Sequence, residues 1–585
     1  MQIHKRKIIN IIEWVLIFNW CLILTKSDAF YAPYLLIAFL GIAAKCKRDI
    51  QVKKQTFDKR GIQWLTEIIA VLLALTVLMA NYKIFKASAE NFLQNMLAVI
   101  RGIAVICGGW ILFREILIAS SQIQITCCEE KKKHKLGNWI WVILWAVLVL
   151  VNATVLISTF YPGILTVDSI SQMTQISSGT YSNHHPYYHT QLIRIFILLG
   201  YKIFKDINKA VAVYSMISIA VMALTFVYVV ATIDKITGNR KISIAVYLWY
   251  MIMPFHIMYS FTMWKDVFFG AVVTVFVVAV YRYLNNISNK TVNIIVIIIS
   301  GFGMCLLRSN GWVAFLLSAI LFAVIFRKKH LKLLMLFAAI IVCSYLLKHP
   351  VLQSLDVSQP DKIESLSIPA QQIARVIVDG GKLTENQKEL LSQIIDIDKI
   401  QERYISWISN PVKDLVREKN NQDFINNNKS DFIKLYIQLG LKYPEKYFEG
   451  WIDETRGYWN GGYFYWRWAY GVSDNTLGIT STVKNSNAAN VINGYFNWWE
   501  NAPLLQIFLS IGLYVWLIIL CAYKTIVNGN KEALFITIPF LCIIASLMIA
   551  TPVYSEFRYA YSIFCAIPFI LLIAFKPQNE KIIDK

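Results

Sequence analysis

The chain has 585 residues, 57% of them hydrophobic and only 16% charged, with a mean hydropathy of +0.50. A soluble chain of this length would carry about 25% charged residues, so a water-soluble class is excluded. The net charge of +21 would suit nucleic acid, but most Lys and Arg fall in short loops between apolar runs, at 45–60, 131–135 and 327–332, as the positive-inside rule expects of cytoplasmic loops.

The runs lie near 8–25, 29–44, 62–81, 92–120, 139–160, 209–231, 242–259, 267–284, 291–307, 312–326, 331–347, 502–523, 533–550 and 560–575. Lipid cannot hydrogen-bond a bare backbone, so these runs predict an all-α polytopic membrane protein with about fourteen transmembrane helices. The N-terminus has a basic start and an apolar run, yet further runs follow and no small-residue cleavage site is evident. It reads as a retained first helix. Residues 1–138 form an appended four-span module ending in the basic 121–138 linker. Residues 139–347 form a transmembrane core whose first outer loop, 161–208, includes an amphipathic segment at 191–204 expected to lie in the outer interface. Residues 348–501 make an outer, mostly helical domain of roughly 150 residues, and 502–585 hold three spans and a tail.

Counting from a cytoplasmic Met1 puts every strongly basic loop inside, with both termini. The same count puts outside the loops containing Asp168, Asp266, Arg308 and Arg558, together with 348–501. Most of the ten cysteines lie in apolar runs, and none lies in 348–501. Adjacent Cys127 and Cys128 read as ordinary thiols beside a cytoplasmic loop, so no disulfide framework or metal pair is expected. No internal repeat is visible, which argues against a transporter built from inverted halves. A lean toward Ile, Lys and Asn hints at an AT-rich bacterial genome.

Four outer stretches carry candidate chemistry. The segment 161–191, YPGILTVDSISQMTQISSGTYSNHHPYYHTQ, lacks Lys and Arg and offers Asp168 with His184, His185 and His189. A carboxylate just past a span is partly desolvated, which suits a general base. The plain alternative is that Asp168 caps a helix beginning at SISQM. In SFTMWKD, Lys265 and Asp266 fit either an interfacial anchor with its counter-ion or a phosphate contact with an orienting acid. LLRSNGW places Arg308 and Asn310 at a tight turn, and YSEFRYAYS leads into the last span with Glu556 and Arg558. Each alone matches common interfacial anchoring. Together they offer cations for a phosphate and a base for an incoming hydroxyl on one membrane face.

The order of these features resembles the GT-C superfamily of membrane glycosyltransferases. TVDSISQ, HHPYYHT, TMWKD, LLRSNG, SIPAQQIAR at 367–375 and EFRYAYS are similar to a mainly Gram-positive family of membrane proteins placed in that superfamily. The resemblance covers roughly 139 to 575 and leaves the first four spans unexplained. It implies inverting transfer of a sugar from a polyprenyl-phosphate donor to a glycan, lipid or protein acceptor at the outer face of the cell membrane. Asp168 matches the first-loop catalytic Asp and would be the base, and Asp266 matches the second-loop acidic position. Lys265, Arg308 and Arg558 would be candidates for the donor phosphate. The first loop has a lone Asp where some members carry an Asp-x-Asp or a neighbouring acid, so a metal requirement is open. Asp168, His184 and His185 include suitable divalent ligands, and the histidines equally suit hydrogen bonds to substrate.

In the outer domain, WIDETRGYWNGGYFYWRWAY at 451–470 interleaves aromatic rings with Asp453, Glu454, Arg456, Asn460 and Arg467. Trp459 and Trp466 are candidate platforms for a sugar face, or part of an aromatic belt on lipid headgroups. YFNWWENAP at 495–503 reads as belt. Two other functions stay open: a transporter or flippase of a lipid-linked saccharide, for which Glu67 and Arg101 are the tempting intramembrane charges, and a non-enzymatic scaffold for envelope assembly.

Overall fold

The computed structural model describes residues 2–26, 32–52, 60–86, 92–125, 137–327, 329–463, 465–466, 470–502 and 505–577. The basic stretch 131–135, Cys127, Cys128 and Arg467 lie outside the described residues. Among the described residues the chain is helical with no strand, and it is an all-α membrane protein.

The first module comprises α1 (Gln2–Leu24), α2 (Ala32–Val52), α3 (Arg60–Ala80) and α4 (Phe92–Gln122). Its own apolar cluster surrounds Trp20, Phe39 and Phe113 and is closed by Trp516 from near the C-terminus. Next come α5 (Asn138–Val155), α6 (Val167–Ser178), α7 (Tyr187–Phe204), α8 (Ile207–Thr237), α9 (Arg240–Ile252), α10 (Pro254–Ser260), α11 (Lys265–Leu284), α12 (Lys290–Leu306), α13 (Gly311–Phe326) and α14 (Leu331–Leu346). Residues 348–501, the outer domain of the sequence reading, carry α15 (Ser367–Val378), α16 (Asn410–Lys419), α17 (Lys429–Lys442) and α18 (Pro444–Trp459), which share a separate apolar cluster that reaches α18 at Tyr447, and α19 (Ser486–Asn501), which packs on the main core through Phe496 and Trp499. The last helices are α20 (Ile511–Val527), α21 (Lys531–Ala550) and α22 (Tyr561–Phe575).

Among the described residues, eight helices are long and apolar enough to cross a membrane, and α9 with α10 makes a ninth if the bent pair is one span. Five shorter apolar helices accompany them. The 242–259 run is therefore not one straight helix. It breaks by 60° at Met253, whose extended backbone is what Pro254 imposes on the residue before it. The 502–523 run also departs from a single span, since its first part forms a 3-10 turn at Leu505–Leu509 before α20 begins. Helix α11, and α22 with the turn that leads into it, are apolar on all sides because they lie at the bundle centre, 78% and 83% buried.

Polar contacts sort the loops to two ends of the bundle. At one end Lys86 pairs with Glu449, Asp168 with Arg558, and Asp266 with Arg308, while Tyr188 donates to the Leu347 carbonyl. At the other, Lys524 donates to the Ser121 carbonyl, Ile125 N–H to the Phe575 carbonyl, and Lys329 lies near Glu532. The segment 191–204 is part of α7, which packs along α8 through a buried face that includes Ile193, Ile197 and Gly200.

Candidate functional site

The site begins with the way the loop after α5, which starts at Tyr161, is pinned. Gly163 holds φ at +153°, and a Cβ there would fall 2.3 Å from Ser215 Oγ, so only glycine lets the loop lie this close to α8. Ser215 Oγ donates to the Pro162 carbonyl at 2.8 Å. Thr166 then caps α6 in a capping box with Ser169. The cap reading of Asp168 is thus corrected: Thr166 satisfies the helix end, and Asp168 sits in the first turn, where the positive end of the helix dipole favours its charge.

The same residues tie α6 to α11. Ser169 Oγ donates to the Met263 carbonyl at 2.7 Å, and Trp264 Nε1 donates to Thr166 Oγ1 at 2.8 Å. Two helix N-termini are thereby held side by side, with Lys265 Nζ 3.9 Å from Asp168 Oδ2. Arg558 arrives from the opposite end of the sequence and places Nη1 2.7 Å from the same oxygen, its guanidinium over the Trp264 ring. The loop carrying it is held by the outer domain. Gly457 N–H donates to the Tyr554 carbonyl and Ser409 N–H to the Pro552 carbonyl, both at 2.9 Å. A second pair lies deeper, with Arg308 Nη1 2.5 Å from Asp266 Oδ1 and its guanidinium over Tyr559. Glu556 Oε1, 3.6 Å from Arg558 Nε, has no hydrogen-bond partner among the described residues.

Asp168, Lys265, Asp266, Arg308, Glu556, Arg558 and His185 therefore converge, as four separate sequence stretches meet. His185 is buried beside Lys265, with Nδ1 3.3 Å from Nζ. Burial and then the Lys265 charge push its imidazole down to about 3, so it is neutral and accepts from the ammonium. His184 is exposed and edge-on to His185. His189 does not face the cluster: it is fully buried and bonds Gln172 through Nδ1 at 3.1 Å. Asn310 Nδ2 donates to Ser546 Oγ at 2.8 Å. Trp459 and Trp466 are packed in the main apolar core, Trp459 stacked on Trp451, and do not form an open platform. Within the YFNWWENAP belt, Phe496 and Trp499 are likewise buried, while Trp498 is exposed. Glu67 is paired with Arg114 at 2.8 Å, and Arg101 is exposed. Sequence reading does not single out Trp264 or Tyr559, the rings beneath the two guanidiniums; their one signal is adjacency to Lys265 and Arg558.

The electrostatics separate the two carboxyls nearest Arg558. Burial would raise Asp168, but the charges of Arg558 and then Lys265 outweigh it and hold the group well below the usual carboxylate range. Burial pushes Glu556 up to about 7, against Arg558 and reinforced by Asp266 and Asp168. Near neutral pH the cluster thus sets Lys265, Arg308 and Arg558 against Asp168, Asp266 and a partly protonated Glu556, an arrangement suited to an anion. The Asp168 side chain is 30% exposed, so an anion competing for Arg558 and Lys265 would free it to accept a proton. Among the described residues no three His, Cys, Asp or Glu side chains gather as a metal site, so Asp168, His184 and His185 do not form the trio expected of a divalent ligand set. The two cations against Asp168 further disfavour one.

A family model matches residues 4–585. The chain belongs to this family of unknown function, DUF6020. The match takes in the first four helices, so the module is part of what defines the family. No curated protein and no solved structure matches the chain.

Proposed function

We propose that the protein is a GT-C-type glycosyltransferase that moves a sugar from a polyprenyl-phosphate donor to an envelope acceptor at the outer face of the cell membrane. In this reading the chain crosses the membrane about fourteen times with both termini cytoplasmic. The observation that carries it is the meeting of Asp168 with Arg558 and Lys265 in a partly open cluster at one end of an apolar bundle. Lys265 and Arg558 bind the donor phosphate, and Arg308 acts through Asp266 to set the field behind them. Asp168, released from its cations by that phosphate, takes the proton from the acceptor hydroxyl as the new glycosidic bond forms and the phosphate leaves. Glu556 supplies an adjacent carboxyl near neutrality, and no step runs through a metal.

The test is sugar transfer in proteoliposomes supplied with a labelled polyprenyl-phosphate sugar and envelope extract as acceptor. The reading expects Asp168→Asn to lose about a hundredfold or more in rate, the scale of a general base. Full activity in that variant would remove Asp168 from the base role. Translocation of the labelled lipid with no covalent change would favour a flippase.

A further inference from the structure

The outer domain contains an apolar cavity of about 600 Å³ that the sugar-transfer reading does not use. It lies between α15, α16 and α17, and its wall is mainly aliphatic, including Ile373, Ile377, Leu391, Ile394, Val412 and Val416. The SIPAQQIAR segment accounts for one side. Pro369, Ala370 and Ile373 face the cavity, while Gln372 and Arg375 turn away to bond the Tyr447 carbonyl and the Glu449 carboxylate of α18. The helix thus has two working faces, and one of them lines a pocket that opens to the surface. An open apolar pocket holds its aliphatic wall against water, which burying an apolar chain there would relieve. It is also within the size range of pockets that hold small ligands.

Two further observations say what fills it. Helix α17 presents Ile433, Ile437 and Leu441 at successive turns, 59%, 52% and 79% exposed, and Ile433 also lines the cavity. An apolar stripe on an outer helix of a membrane protein, continuous with an apolar cavity, suits a helix resting on lipid. The two cations of the cavity wall, Lys362 and Lys429, are exposed, and among the described residues neither has a carboxylate within ion-pair distance. Lysines with apolar stems at such a mouth suit an anionic headgroup over a buried chain. We propose that this cavity binds one hydrocarbon chain of an anionic membrane lipid, drawn in along α17, with Lys362 and Lys429 on its headgroup. The proposal stands whether or not the protein transfers sugars.

The experiment is native mass spectrometry of the full-length protein in detergent, after incubation with phosphatidylglycerol, phosphatidylcholine or undecaprenyl phosphate. The wild type is expected to retain one anionic lipid with a preference of about tenfold or more over phosphatidylcholine, the scale of two lysines at a headgroup. Whether phosphatidylglycerol or undecaprenyl phosphate is held better identifies the source of the chain, and either supports the site. Ala370→Trp, which puts an indole into the cavity and narrows it, is expected to reduce retention sharply. The surface pair Lys362→Gln with Lys429→Gln, which leaves the apolar wall intact, is expected to keep a bound lipid but lose the anionic preference, so the proposal remains testable if Ala370→Trp fails to fold. Equal retention of all three lipids by wild type and lysine variant, or undiminished retention in a folded Ala370→Trp, would overturn it.

Discussion

Arg558 Nη1 and Asp168 Oδ2 lie 2.7 Å apart across 390 residues of chain. Neither residue reaches the other through local structure. Asp168 is fixed by the cap of α6 and the Thr166–Trp264 bond, while Arg558 is delivered by a loop that the outer domain holds at Pro552 and Tyr554. The outer domain thus acts on the site by position, even though its own tryptophans stay in the core.

The Asp266–Arg308 pair is buried on both sides. Removing one partner leaves an uncompensated charge, so Arg308→Met is expected to cost about 3–5 kcal/mol. Asp266→Asn combined with Arg308→Met should recover part of that loss. Thermal unfolding of the purified variants in detergent checks both outcomes, and equal stability of the single and double variants would contradict the pairing.

Which loops share an end of the bundle follows from contacts between segments far apart in sequence. Lys86 bonds Glu449, and Lys83 lies 3.4 Å from Asp453, so the 82–86 turn shares an end of the bundle with the outer domain. Lys241 begins α9 at the opposite end of α8 from the first outer loop. An impermeant maleimide applied to intact cells is expected to label Lys83→Cys and Lys388→Cys, and to leave Lys241→Cys unlabelled until the cells are opened. Labelling of Lys241→Cys from outside would contradict the arrangement.

Stability should fall as pH rises. Burial pushes Glu454 up to about 8, opposed by Ser409 and Lys413, and Glu556 up to about 7, whereas an unfolded glutamate releases its proton near 4.5. Between those values the folded chain binds more protons than the unfolded one, so these groups stabilise fully below about 4.5 and lose that contribution as pH rises through about 7 to 8. Melting temperature across pH 5 to 9 checks this, with Glu454→Gln expected to flatten the upper part of the profile. A profile unchanged by that substitution would count against the buried, protonated carboxyl.

Much of the fold was legible because the bilayer leaves few choices. The apolar runs are helical among the described residues, although only eight, or nine with the bent pair, are long enough to cross a membrane, and the charges of the four candidate stretches gather at one end of the bundle. The break at Met253 was missed because hydropathy does not register a proline within an apolar run, although Pro254 itself was visible. The histidine loop divided in a way that spacing cannot show: His185 reached Lys265, while His189, four residues on, became buried against Gln172. Trp459 and Trp466 looked like surface rings because aromatic composition is the same in a core as on a platform. The Asp168–Arg558 contact depends on how α6, α11 and the 551–556 loop pack, which no local pattern specifies.

The proposed phosphate site consists of Arg558 and Lys265 beside Asp168. Equilibrium binding of farnesyl phosphate against farnesol to the purified protein tests it most directly. The wild type is expected to favour the phosphate by about tenfold or more, and Arg558→Gln to erase that preference, as loss of a charge-assisted contact would. Equal affinity of the wild type for both compounds, or an unchanged preference in Arg558→Gln, would rule the site out.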